Sequence, residues 1–309
     1  MCGCHRAELL FRQTDRLYRT TTKKFAVLRC RQCGLARLDP QPSPEELRGY
    51  YPKTYWFAPD TSMVARLEEW YRRVVLRGHV RFVERALRGS SARGPLLDVG
   101  CGGGLFLGMM RRRGHRVVGL DFSREAAGVA WRHQKVPAAV ANLEQAPFRP
   151  ASFACITMSH VLEHLPDPCV YLAAVHRLLE PDGRVVIHVP NASSLQFQLL
   201  GRRWNGIDVP RHLFDYRDRD VERVLEIMGF EVVRRSYFSL RDNPAGLASS
   251  LAPGLDPMAR RVRQVPEGAA ARLVKDLAYL ALTMAALPFT LAEAAFGAGS
   301  TVMMEARRR

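Results

Sequence analysis

"LLDVGCGGG", residues 96–104, decides the fold. Leu96, Leu97 and Val99 enclose a single acid, Asp98, and four glycines then fall within five positions. A short apolar run bounded by glycine reads as a buried strand. Glycine reaches positive φ and lets a ligand lie against the main chain where a Cβ would collide. The stretch is therefore a strand that ends in a ligand-facing turn. Outward from it, residues 105–113 carry a helical pattern, and residues 116–120 form a second strand that stops at Asp121. Residues 126–134 are helical, 136–141 form a weak strand before Asn142, and 153–158 form an apolar strand. A helix over 167–179, a turn at Pro181-Asp182-Gly183 and a strand over 184–189 complete the series. Strands that alternate with helices predict a parallel, doubly wound sheet with helices on both faces. Ligands of such sheets sit at the carboxyl ends of the strands.

The glycine turn narrows the ligand. A phosphate-binding P-loop ends in Gly-Lys-Ser/Thr, but Gly104 is followed by Leu105 and Phe106. A dinucleotide fingerprint needs a third small residue, and Leu105 occupies that position. The fit is D-x-G-x-G-x-G, with Asp98, Gly100, Gly102 and Gly104. Asp121, at the end of the next strand, can accept hydrogen bonds from ribose hydroxyls. Asp98 would hold an ammonium group, directly or through water. A nucleoside with an amino-acid tail and no phosphate satisfies both acids, and S-adenosylmethionine is that ligand.

At this point the sequence resembles the class I S-adenosylmethionine-dependent methyltransferases, from about residue 95 to 230. "LLDVGCGGG" is similar to the first motif of that family, and "VVGLDFS" (117–123) to the second strand with its ribose acid. The resemblance implies that Phe122 lies against the adenine. In "ANLEQAPF" (141–148) it puts Asn142 and Leu143 at the adenine, with Asn142 where the family often has Asp. "FACITMSHVLEHLPDP" (153–168) resembles the fourth strand and its loop, with Ser159 lining the cofactor pocket. Ala154 stands where an Asp is common, so that position is expected to carry no chemistry. "LLEPDGRVVIHVPN" (178–191) resembles the helix, turn and fifth strand. Two further stretches, "LRCRQCGLARLDPQPSPEELRGYYPKTYW" (28–56) and "RRWNGIDVPRHLFDY" (202–216), resemble a small-molecule subgroup with a cysteine-rich N-terminal segment. Members of that subgroup modify sugars, lipid precursors or secondary metabolites. The implied activity is methyl transfer to a small-molecule acceptor.

The expected organisation is a cysteine-rich, zinc-ribbon-like segment over 1–45, a helical connector over 46–93 and a methyltransferase domain over 94–309. Cys2 and Cys4 form one close pair, and Cys30 and Cys33 another. Two pairs about 25 residues apart suit a tetrahedral structural Zn²⁺. The first pair is one residue short of C-x-x-C, so His5 is the candidate to replace a sulfur; the competing reading is a ribbon that has lost its metal and keeps the cysteines as core residues. Cys101, Cys155 and Cys169 sit singly in apolar segments and read as buried core residues. Residues 63–88 read as one amphipathic packing helix, with Val64, Leu67, Tyr71, Val74, Val75, Phe82 and Leu87 at helical spacing.

Three histidines, His160, His164 and His212, are candidate bases for a hydroxyl or carbon acceptor, because imidazole titrates in the useful range. His212 leads: it lies in "WNGIDVPRHLF", where Asp208, Arg211 and His212 among Trp204, Ile207 and Phe214 read as a substrate pocket. The competing reading is a surface loop held by an Asp–Arg pair. His160 is second, just after the fourth strand. Glu163 and His164 read as a hydrogen-bonded loop that caps the following helix, rather than as a metal site with His160.

The 309 residues carry a formal net charge of +16, mostly as scattered short arginine runs. A scattered excess reads as solvated surface, not as a nucleic-acid stripe. An RNA methyltransferase is the alternative from charge, but no N/D-P-P-Y motif or arginine–aromatic platform accompanies it. A non-catalytic S-adenosylmethionine-binding module is the other. The polar N-terminus and odd cysteine count predict a cytoplasmic protein. A helical insertion over about 245–298 precedes a last strand over 301–306, expected beside residues 230–238. Its uncharged run, 277–292, contains Pro288 and reads as a buried or interfacial helix pair, packed on the core or resting on a membrane.

Overall fold

The computed structural model of the chain describes Cys4, residues 6–52 and residues 63–309. Three strands come first, β1 (Ala7–Gln13), β2 (Phe25–Cys30) and β3 (Ala36–Asp39), followed by the helices α1 (Pro44–Gly49), α2 (Met63–Val75) and α3 (Arg77–Arg88). The alternating region holds β4 (Leu96–Val99), α4 (Leu105–Arg111), β5 (Val117–Asp121), α5 (Arg124–Gln134) and β6 (Ala138–Val140). It continues through β7 (Phe153–Ser159), α6 (Pro168–Leu178) and β8 (Leu179–Pro190). Then come α7 (Leu195–Leu200), β9 (Phe214–Asp215), α8 (Asp218–Ile227) and β10 (Phe230–Ser236). The chain closes with α9 (Asn243–Leu251), α10 (Pro257–Val262), α11 (Ala269–Ala295) and β11 (Thr301–Arg308).

These elements form two compact units that interleave along the sequence. The first comprises Met1–Tyr55, Pro190–Asp220 and Asp242–Val302; the second comprises Trp56–Val189, Val221–Arg241 and Met303–Arg309.

The second unit is built on a seven-stranded sheet of order β10-β11-β8-β7-β4-β5-β6. The strands β4 to β8 pair in parallel, and β10 and β11 close one end antiparallel, with Phe230 opposite Arg308. The sequence leaves β4 in one direction through β5 and β6, then returns to lay β7 on the other side of β4. That reversal is the switch point where doubly wound sheets bind ligands. All four residues of β4 are buried, as a central parallel strand requires. One side of the sheet packs Val80, Val83 and Ala86 of α3 against Leu96, Leu107, Met110 and Val186.

Three local expectations are corrected in this unit. The single helix expected over 63–88 is two helices, broken at Leu76. Its packing face lies in α3, where His79, Val80, Phe82, Val83 and Ala86 are buried, while Leu67 and Tyr71 are exposed. The strand expected over 136–141 shrinks to three residues. The expected turn at 181–183 is a detour inside β8: the register jumps from Phe153 opposite Leu179 to Cys155 opposite Arg184, and Asp182 takes a left-handed φ of 59°. Cys101 and Cys155 are buried as expected; Cys169 is only partly so.

In the first unit, β1, β2, β3 and β9 form an antiparallel sheet in that order. Ser43 begins α1 with a capping box: its hydroxyl accepts from the Glu46 N–H, and the Glu46 carboxylate accepts from the Ser43 N–H. The expected helix pair near the C-terminus is one 27-residue helix, α11, with Pro288 inside it, and it packs on α9.

Candidate functional site

The cofactor residues read from the sequence all fall at the carboxyl ends of parallel strands in the second unit. Asp98 is the third residue of β4, flanked in register by Gly119 of β5 and Thr157 of β7. The Thr157 hydroxyl donates to Asp98 Oδ1 at 2.6 Å. Burial, joined by the negative charge of Asp121, pushes the Asp98 carboxyl up to about 7 against the pull of that hydrogen bond. A buried carboxyl in this state gains most from a cationic partner, which would restore its charged form.

The glycine turn is tied to β5. The N–H groups of Gly100 and Cys101 donate to the Leu120 carbonyl at 2.8 and 3.1 Å. The Gly102 N–H donates to Asp121 Oδ2, and the Ser123 N–H to Asp121 Oδ1, each at 2.9 Å. Asp121 is itself pushed up by burial, which those N–H groups oppose. The Phe122 N–H is also directed at this carboxylate, so of its about four acceptor sites about one is left for a ribose hydroxyl. Gly102, at φ 51°, has nothing within 4 Å of where a Cβ would stand. Gly104, at φ 72°, has Ala130 Cβ 2.8 Å from that point. One glycine keeps space for a ligand; the other keeps α5 close. Both features fit a nucleoside with a cationic amino-acid tail.

Phe122 is exposed directly after Asp121. Asn142 precedes a short turn in which Leu143 is buried, beyond the end of β6. Ser159 ends β7, and its hydroxyl lies 3.3 Å from His188 Nδ1. Ala154 is buried near the amino end of β7, opposite the carboxyl end where the site lies.

His160 follows Ser159 in a left-handed conformation, φ 54°, a strained state for a non-glycine residue. Its N–H donates to the His188 carbonyl at 2.8 Å, and its Nδ1 lies 3.4 Å from the buried Glu163 carboxylate. The His188 ring lies 4.6 Å from that of His160 and 5.8 Å from that of His79. The sequence reading missed His188 and His79. The available signal was a polar residue in the otherwise apolar run "VVIHVP". The helix-capping role expected of Glu163 and His164 belongs instead to Asp167, which accepts from the N–H groups of Cys169 and Val170.

His212, the other candidate base, lies in the first unit. It is buried, with Nδ1 3.0 Å from the Gly206 carbonyl. Its neighbour corrects the loop reading of "WNGIDVPRHLF": the Asp208–Arg211 pair is present, but it is buried rather than at the surface. Arg211 is fully buried, with Asp208 at 2.6 and 2.8 Å and Asp15 at 3.0 Å from two nitrogens. The Tyr50 carbonyl accepts from it at 3.2 Å, and its guanidinium sits 4.5 Å from the Tyr18 ring centre. The guanidinium is committed to holding together segments distant in sequence.

Of the four cysteines read as metal ligands, Cys2 lies outside the described residues. Cys30 ends β2 opposite Ala7, which brings Cys4 to the same end of the hairpin as Cys33. The Gly34 N–H donates to the Cys30 carbonyl, and the Cys30 N–H to the Leu35 carbonyl, closing a tight turn around Cys33. Among the described residues, Cys4, Cys30 and Cys33 do not belong to a group of three ligand atoms within 4.8 Å of one another.

A family model described as "Methyltransferase domain" matches residues 67–235. The chain is 33% identical over 130 residues to a ubiquinone biosynthesis O-methyltransferase of Pseudomonas paraeruginosa, covering 40% of this chain and 56% of that protein. It is 34% identical over 173 residues to the Alkalilimnicola ehrlichii protein of the same description, covering 53% and 70%. The chain thus spans little more than half of the first of these relatives. Among solved structures, geranyl diphosphate C-methyltransferase from Streptomyces coelicolor is similar with a TM-score of 0.52 at 14% identity, covering 87% of this chain and 100% of that one. The 1,6-didemethyltoxoflavin-N1-methyltransferase of Burkholderia thailandensis has a TM-score of 0.50 at 19% identity, covering 89% and 94%. These last two likenesses establish the fold.

Proposed function

The chain belongs to the methyltransferase-domain family, and from that premise we propose that it transfers a methyl group from S-adenosylmethionine to a small-molecule acceptor. One observation carries the reading: two buried carboxyls, Asp98 and Asp121, stand at the ends of adjacent strands and flank a glycine turn that leaves open space at Gly102. Asp98 takes the ammonium end of the donor and Asp121 its ribose. The donor supplies an electrophilic methyl on a sulfonium. The acceptor's lone pair attacks it, the carbon–sulfur bond breaks, and S-adenosylhomocysteine leaves. Positioning supplies much of the rate in such an in-line displacement. The curated relatives, named as O-methyltransferases, support a hydroxyl acceptor.

A hydroxyl acceptor must lose a proton as the new bond forms. His212 and His160 are the proposed bases. What supports His160 is its strained backbone and its carboxylate partner; what supports His212 is its sequence position between Trp204 and Phe214. A structural zinc on Cys2, Cys4, Cys30 and Cys33 is a separate proposal, supported by the tight turn at Cys30. Absence of zinc from wild-type protein expressed with zinc overturns it.

The test of acceptor class uses methyl-labelled S-adenosylmethionine and a metabolite extract. Label in small molecules supports the reading; label in RNA or protein alone overturns it.

A further inference from the structure

Helix α11 of the first unit has inverted polarity. Thr283, Ala286, Thr290 and Glu293, at helical spacing, are buried, and the Tyr279 hydroxyl donates inward to the Ala245 carbonyl of α9 at 3.1 Å. The outward side is apolar: Leu273, Val274, Leu277, Met284, Leu291 and Phe296 are all exposed, Met284 by 59% and Phe296 by 87%. No charged residue occurs from Leu277 to Ala292. A surface helix of a soluble protein normally shows the opposite arrangement. The apolar surface continues into a groove lined by Leu199, Leu200, Leu247, Leu251 and Phe289, with Gln196 also at its wall. Single exposed apolar side chains are ordinary, but a contiguous patch of this kind marks an interaction surface.

The charges around the patch say which kind. Arg202 and Arg203 are exposed immediately after α7, whose Leu199 and Leu200 line the groove. Arg272 and Lys275, in the first two turns of α11, are paired with Asp276 and Glu267 and add no net charge to the rim. Asp276 also pairs with Arg260, and Glu293 accepts from Gln196 at 2.6 Å on the buried side, so Arg202 and Arg203 carry the positive charge beside the groove. Cations at the rim of an apolar face match anionic headgroups above an acyl layer. A second copy of the chain would set the same cations against each other.

We propose that this face of α11, with the groove beside it, is a docking surface for an anionic lipid bilayer, the helix lying in the membrane plane. By length and composition α11 could also cross a membrane. The buried polar row from Thr283 to Glu293 instead ties one side of the helix to the protein and leaves the other for lipid.

The test is vesicle flotation of the full chain, with phosphatidylcholine alone and with added phosphatidylglycerol. The wild type should float with the anionic vesicles, and at least tenfold less with phosphatidylcholine alone. Leu277→Glu with Met284→Glu should lower flotation at least tenfold while S-adenosylhomocysteine binding, read by calorimetry, stays unchanged. That second readout shows the fold intact and keeps this test independent of the methyl-transfer reading. Arg202→Glu with Arg203→Glu should reduce flotation several-fold. Four results overturn the proposal: no flotation of the wild type, equal flotation of the Leu277/Met284 variant, resistance of the bound protein to alkaline carbonate, or a wild-type dimer that the same variant converts to monomer.

Discussion

Replacing Arg211 with methionine should destabilise the first unit strongly, and more at neutral than at acidic pH. The guanidinium is wholly buried and donates to Asp208, Asp15, Thr20 and the Tyr50 carbonyl. Burial pushes the Asp15 carboxyl up, but hydrogen bonds and charge from Arg211, with help from Thr20 and the Tyr18 N–H, outweigh it and hold that carboxyl below its ordinary value. An exposed ion pair would contribute about 0–1 kcal/mol. Removing one partner of a buried pair costs about 3–5 kcal/mol, because an uncompensated charge stays behind. Here two carboxylates lose the same cation, so the upper part of that range applies. The sign with pH follows from Asp15. Its folded value lies below its unfolded one, so its contribution is full above the unfolded value and is lost as pH falls through the folded one. In Arg211→Met the stranded carboxylates can protonate as the solution is acidified, which relieves part of the cost. Urea unfolding followed by circular dichroism at pH 7.5 and pH 5 measures both effects. A variant within about 1 kcal/mol of wild type at pH 7.5, the size of a surface pair, or an equal loss at both pH values, would refute the reasoning.

Burial pushes the Glu293 carboxyl up to about 7 against its hydrogen bond from Gln196, so wild-type stability should fall as pH rises from the ordinary carboxylate range towards 7. Glu293→Gln should remove that slope and raise stability at pH 8 by about 1–2 kcal/mol, below the roughly 3 kcal/mol that about 1.4 kcal/mol per decade gives over the whole upward displacement; thermal melts with no gain at pH 8 contradict it. Gly102→Ala should weaken S-adenosylhomocysteine binding at least tenfold at the backbone cost of a left-handed alanine, about 1–2 kcal/mol, whereas Gly104→Ala, at φ 72° and with its Cβ meeting Ala130, should lower the melting temperature further; the reverse order would misplace the ligand. His212→Ala should lower turnover by about two to four decades with donor binding intact if it is the base. His160→Ala should disturb both, and normal turnover in either variant removes that residue from the proton path.

The sheet was legible because its signals are local. Asp98 lies one residue before the end of β4, Asp121 ends β5, and Asn142 lies two residues past β6. The two acids proposed to hold the donor were legible because each interrupts or ends an apolar run. Arg211 was misread because its partner Asp15 lies 196 positions away, and no local pattern announces such a pair. His188 was hidden inside a strand whose neighbours are apolar, and its meaning depends on His160 folding back over it. The inversion of α11 was half visible. The sequence shows a long uncharged run, but which side of the helix carries Thr283 and Glu293 inward depends on its packing against α9.

The account stands on the donor site, and calorimetry with S-adenosylhomocysteine tests that site directly. Asp121→Ala removes the charged acceptor proposed for the ribose, a loss of about 1.5–3 kcal/mol for a hydrogen bond to a charge. Affinity should therefore fall by about one to two decades relative to wild type, with the melting temperature of the free protein used to confirm folding. Wild-type protein that binds S-adenosylhomocysteine no more tightly than folded Asp121→Ala would contradict the assignment of the site.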